Sequence, residues 1–137
     1  MTIEWKDKYS TGLDRIDDQH RKIFEFCNKL ETLIEQKIDS GPKLDNLLMF
    51  LATYAKTHFA YEENCMFRHA CPAAKSNRDA HAQFLEFLND SQAKRYSSDS
   101  TLAWMEELHR FLEKWLDGHI CQIDTQLKAS IDKRGDV

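Results

Sequence analysis

Along most of the chain apolar residues recur at a period of about 3.6, and no stretch keeps the two-residue alternation of a strand. Positions 16, 20, 23, 24, 27, 30 and 34, all apolar or histidine, predict a first helix over about 16–37. Asp17 and Asp18 suit its first turn through the helix dipole, and Ser40-Gly41-Pro42 ends it. A second helix, about 43–68, carries Leu44, Leu47, Leu48, Leu51 and Ala55 on one face. Cys71-Pro72 then breaks the chain, with Pro72 suited to the first turn of a third helix over about 73–94. That helix turns positions 77, 81, 84, 85 and 88 inward. After the polar link from Tyr96 to Thr101, a fourth helix presents Leu108, Phe111, Leu112, Trp115, His119, Ile120 and Ile123 on one side. Four amphipathic helices of roughly 20 residues with short connections predict an all-α fold, an antiparallel up-down-up-down four-helix bundle. The expected organisation is a single domain over 1–137. Within it, 1–15 form an N-terminal arm pinned by Trp5 and Tyr9, 16–131 the bundle, and 132–137 a polar tail that frays.

Several polar residues interrupt the apolar faces. His58 and Glu62 continue the buried stripe of the second helix; residues four apart lie about 40° apart around the axis and about 6 Å along it, so their side chains project together. A carboxylate is rarely buried unless it is paired or holds a metal. His20 falls early on the first helix, Asn77 and His81 early on the third, His119 and Asp124 late on the fourth. In an antiparallel bundle those ends coincide with the late part of the second helix, so all seven converge on one layer of the core. A hydrogen bond to a neighbour accounts for a single core histidine, but not for four at one depth beside two acids. Two ions bridged by the carboxylates would satisfy them, and imidazole with carboxylate suits iron, manganese or zinc. His69, near the end of the second helix, and His109, about 15 Å along the axis from His119, fall outside the layer. His119 and Asp124 are five apart and diverge by about 140° in a regular helix. To reach one centre they need an approach from its flank or a local π-type widening.

Composition narrows the classes. A net charge of -4 and a pI near 5.8 argue against nucleic acid and anionic membrane surfaces as partners. No apolar run approaches the ~18 residues of a membrane span. The N-terminal sequence lacks a signal-peptide pattern, so a cytoplasmic location is expected. Cys27, Cys65, Cys71 and Cys121 form no Cys-x-x-Cys pair and are expected to be reduced.

The ordered set of motifs resembles the bacterial hemerythrin domain. It comprises Trp5 in the arm, Asp17-Asp-Gln-His20, His58-x-x-x-Glu62-Glu63 with Met66 and Pro72 following, His81-x-x-Phe84-Leu85, and Trp115-Leu-x-x-His119-Ile120 with Asp124. The resemblance implies a four-helix bundle with two iron ions in an oxo- or hydroxo-bridged non-haem site that binds O2. His20 and His58 would hold one iron, His81 and His119 the other, and Glu62 and Asp124 would bridge them. Ile120 and Trp115 would line an apolar ligand pocket. The family pattern has His four residues before the ligand on the third helix; here that position is Asn77. Three outcomes stay open: Asn77 leaves a vacant position, it or a water serves as a weak ligand, or one metal is lost. A vacancy implies faster oxidation than in a storage protein and greater sensitivity to azide, nitric oxide or peroxide. The favoured function is an oxygen- or redox-sensing domain of the kind that is fused to or partnered with a signalling output domain such as a diguanylate cyclase. A free-standing oxygen carrier or store is the alternative, and a di-iron peroxidase- or oxidase-like enzyme stands behind both.

Overall fold

Ile16, Ile23, Phe24, Cys27 and Leu30 on one segment, and Leu44, Leu47, Leu48, Leu51 and Ala55 on the next, are all buried, as the helical period requires. The computed structural model describes residues 3–97 and 99–134. Four long helices dominate: α1 (Asp14–Glu35), α2 (Pro42–Arg68), α3 (Ala74–Ala93) and α4 (Thr101–His119). A π-helical segment, Ile120–Asp124, joins α4 to a short α5 (Gln126–Arg134). The helices α1 and α2, α2 and α3, and α1 and α4 pack as neighbours. The seam between α3 and α4 is aromatic, with Phe87 stacked on Phe111 at 3.5 Å between centroids and Phe84 against Trp115 at 4.6 Å. This is the four-helix bundle expected from the sequence.

The connections differ in detail from the expectation. α1 ends at Glu35, and Lys37 takes a left-handed conformation (φ 57°) before Gly41 (φ 93°) leads into Pro42, the first residue of α2. Pro72 precedes α3 rather than opening it, because the helix begins only at Ala74. The fourth predicted helix is split by the π-helical segment, and its last turns form α5, which continues through Arg134. Residues 135–137, the rest of the tail predicted to fray, lie outside the described residues.

The arm is pinned as its aromatics suggested. Arg21 stacks over Trp5, whose ring lies 6.0 Å from that of Phe24, and the buried Tyr9 donates its hydroxyl to Asp117 Oδ1 at 2.7 Å. Asp17 ties the arm to α1: the backbone N–H and the hydroxyl of the fully buried Thr11 both donate to Asp17 Oδ1, at 2.9 and 2.8 Å. Asp17→Ala strands both donors away from water. It is expected to cost about 3 kcal/mol in urea unfolding of the metal-free protein.

Two apolar clusters divide the interior. The larger runs through Phe24, Leu30, Leu51, Phe59, Phe84, Leu108 and Ile120. The smaller consists of Ile16, Cys65, Met66, Cys71, Ala73, Leu127 and Ile131. Ile16, Met66 and Ala73 each stand four residues beyond His20, Glu62 and Asn77 toward the same end of the bundle. The polar layer is therefore closed by apolar side chains both above and below.

Candidate metal centre

His20, His58, Glu62, Asn77, His81, His119 and Asp124 are all buried, and four helices and the π-helical segment bring them to one layer. Glu62 is shared. Its Oε2 lies 3.0 Å from His20 Nε2 and 3.3 Å from His58 Nε2, while its Oε1 lies 3.2 Å from His81 Nε2. Asp124 divides in the same sense, with Oδ1 3.0 Å from His119 Nε2 and Oδ2 3.2 Å from His20 Nε2. Two ligand clusters result: His20 with His58 and Glu62, and Glu62 with His81, His119 and Asp124. His69 and His109 belong to neither; His109 sits between Glu31 and Glu113 at 3.8 and 3.9 Å.

Asp124 enters the layer because of the π-helical segment. Thr125 N–H donates to Ile120 C=O at 3.0 Å, an i to i+5 bond that widens the helix by one residue. The widening turns Asp124 back onto the face of His119. All four cysteines are free thiols; Cys27, Cys65 and Cys71 are buried.

Asn77 is completely buried, and its Oδ1 accepts from His119 Nε2–H at 2.8 Å. His119 Nε2 also stands 3.2 Å from His81 Nε2. The amide oxygen thus joins the second cluster at the position where the family pattern has imidazole. Trp115 is half-buried and stacks on the His119 ring at 4.2 Å; Ile120 is buried beside it. Phe59, to which no role was assigned from sequence, stacks on His81 at 3.8 Å.

Two more contributors escaped the sequence reading. His58 Nδ1–H donates to Gln19 Oε1 at 2.7 Å, and His81 Nδ1–H donates to Glu63 Oε2 at 3.0 Å. Both bonds keep Nδ1 occupied as a donor and leave Nε2 as the atom that faces the centre.

The electrostatics suit cations. Burial alone would depress the basicity of His20, but Asp124 and Glu62 outweigh it and raise its pKa to about 10. Burial likewise opposes ionisation of Glu62, yet His20, His58 and His81 hold it well below the usual carboxylate range. Burial lowers His58, whereas Glu62 and Glu63 raise His81 against it. Protons on imidazole are thus the countercharge of the metal-free protein. Among the described residues, the buried Glu62 Oε1, Asp124 Oδ1, Asn77 Nδ2 and His20 Nδ1 make no well-aligned hydrogen bond, the two carboxylate oxygens standing near His81 and His119 as ion pairs. Convergent imidazole lone pairs and under-used carboxylate oxygens, split between two clusters, fit a pair of iron ions, which would displace those protons.

A pH dependence follows for the metal-free protein. The raised folded pKa of His20 stabilises fully below the ordinary value of 6.5 and is lost as pH rises through about 10. Its thermal midpoint is expected to fall between about pH 7 and about pH 10, followed by calorimetry in the presence of a chelator.

The family model for the hemerythrin HHE cation-binding domain matches residues 11–131. A bacteriohemerythrin of Clostridium acetobutylicum is 27% identical over 124 residues, which span 89% of this chain and 95% of that protein. A bacteriohemerythrin of Stenotrophomonas maltophilia is 29% identical, covering 96% of this chain and 85% of its own length. A hemerythrin-like protein of Naegleria gruberi is 23% identical over 127 residues, covering 93% and 92%.

Proposed function

This chain belongs to the hemerythrin family, whose members bind oxygen at a non-haem di-iron centre, and from that premise we propose that it is an oxygen- or redox-sensing module. His20 and His58 would hold one iron and His81 and His119 the other, with Glu62 and Asp124 giving one oxygen to each. The iron pair, when bound, supplies reversible oxygen binding and the electrons that oxygen can draw. The chain supplies the rest. Gln19 and Glu63 hold two imidazoles in the ligating tautomer, and the apolar clusters on either side keep bulk water out. Ile120 and Trp115 present apolar surface beside His119, where oxygen, nitric oxide, azide or peroxide would approach. A signalling output domain, fused or separate, would read the state of the bundle.

Asn77 is the observation that carries the sensing reading. Its amide oxygen stands where a third imidazole would complete the second cluster. Oxygen is the harder donor and imidazole suits ferrous iron better, so the exchange favours the ferric state. A centre biased that way changes state on meeting oxygen rather than carrying it. A free-standing carrier or store is the second reading, and it requires a ferrous centre that survives exposure to air.

The test is to load the protein with ferrous iron without oxygen, admit air and follow the absorption spectrum. Conversion to a stable ferric form within the first minutes is the expected result. A spectrum that persists in air and reverses under argon would support the carrier instead. Sustained consumption of peroxide with a reductant would make the protein an enzyme. Among the described residues no helix is long and apolar enough to cross a membrane.

A further inference from the structure

Gln19 and Glu63 stand in matching places. Each is the sequence neighbour of a residue in the polar layer, His20 or Glu62, and each reaches across to an imidazole of the next helix. Gln19 on α1 accepts from His58 on α2, and Glu63 on α2 accepts from His81 on α3. Their chemistry differs. Gln19 offers a neutral amide oxygen, whereas Glu63 is a carboxylate about one-third exposed, with a side-chain exposure of 31%. An anionic acceptor behind Nδ1–H draws that proton toward itself and pushes electron density to Nε2, so the imidazole becomes a stronger donor. A neutral acceptor orients the ring with much less of that effect. The strengthened ring, His81, belongs to the cluster in which Asn77 takes the place of imidazole.

We infer that Glu63 is a positioning residue that restores, through His81, part of the donor strength withheld by Asn77, and that neutral Gln19 leaves the His20–His58 position without such help. The two metal positions are then unequal twice over, in the ligands themselves and in what stands behind them. The iron beside His81 depends on Glu63, and the iron beside His58 does not. This rests on the di-iron reading above. It adds a role for two residues that touch no metal ligand atom facing the centre.

Glu63→Gln isolates the charge, because the glutamine side chain keeps an acceptor for His81 Nδ1–H. The di-iron protein is prepared without oxygen, and release of ferrous iron to a chromogenic chelator is timed, with Mössbauer spectra recorded on the same samples. In Glu63→Gln one of the two irons is expected to leave at least about tenfold faster than in the wild type, the other at the wild-type rate. One ferrous doublet should shift and the other stay. Gln19→Glu, which installs the charge behind His58, is expected to slow release of the other iron and move the other doublet. Wild-type release kinetics and spectra in both variants would overturn the role of Glu63, as would equal acceleration of both irons in Glu63→Gln. A wild-type protein that takes up no iron pair would instead sink the di-iron reading itself, so the two failures are distinguishable. A helical circular-dichroism spectrum of each metal-free variant, matched to wild type, separates these effects from misfolding.

Discussion

Glu62→Gln is expected to reduce the iron retained from two ions per chain to one at most, measured by elemental analysis after anaerobic loading and desalting. Glu62 is the residue common to both ligand clusters, with Oε2 toward His20 and His58 and Oε1 toward His81. Glutamine keeps the shape but turns one oxygen into an amide that presents hydrogens to a cation. Either orientation of the amide spoils one position outright, and the lost charge weakens the other. The same change acts on the metal-free protein, where the carboxylate is fully buried among three imidazoles and favours the protonated forms of His20 and His81. Removing one partner of such a cluster costs about 3 kcal/mol or more, read as a lower urea midpoint. His119→Ala, which touches only the second cluster, should instead leave one iron in place.

The layer at Glu62 was legible because burial and polarity conflict there. A carboxylate and four histidines on the apolar phase of four helices define a depth, and depth needs only the helical period and antiparallel order. Gln19 and Glu63 carry no such conflict. Each lies about 100° around its helix from the neighbour that faces the centre, a direction that reads as lateral or solvent-facing. Their partners become visible only when the next helix is in place. The pair of Tyr9 and Asp117 was hidden for the same reason, since it joins residues 108 apart in sequence.

The fourth helix shows the limit differently. A spacing of five between His119 and Asp124 leaves two routes to one centre, an approach from the flank or a local π-type widening, and does not choose between them. The structure answers with a hydrogen bond from Thr125 N–H to Ile120 C=O, and the π-helical segment ends at Asp124. Tertiary demand from the polar layer overrides local helical preference there, and residue propensities could not have located it. The start of α3 is a smaller case. Pro72 suits a first helical turn, yet Ala70 is left-handed (φ 51°) and the chain needs Cys71 to Ala73 to turn before the helix can begin.

Asn77→His is expected to slow conversion of the ferrous protein to the ferric form in air by on the order of tenfold, equivalent to about 1.4 kcal/mol in the barrier. The side chain at 77 is wholly buried and its Oδ1 already lies 2.8 Å from His119 Nε2, so a donor placed there addresses the second cluster rather than solvent. Imidazole favours ferrous iron more than an amide oxygen does, and it fills the position that an outside ligand would otherwise share. Asn77 Nδ2 has no hydrogen-bond partner among the described residues, so the exchange sacrifices no such bond from that atom. The measurement is the decay of the ferrous spectrum after mixing with air-saturated buffer, wild type and variant side by side. Asn77→Ala provides the opposite arm: with no donor at all, oxidation should be at least as fast as in wild type and the second iron should be lost more readily. Equal rates for wild type and Asn77→His would remove Asn77 as the cause of fast oxidation and return the carrier reading to the front.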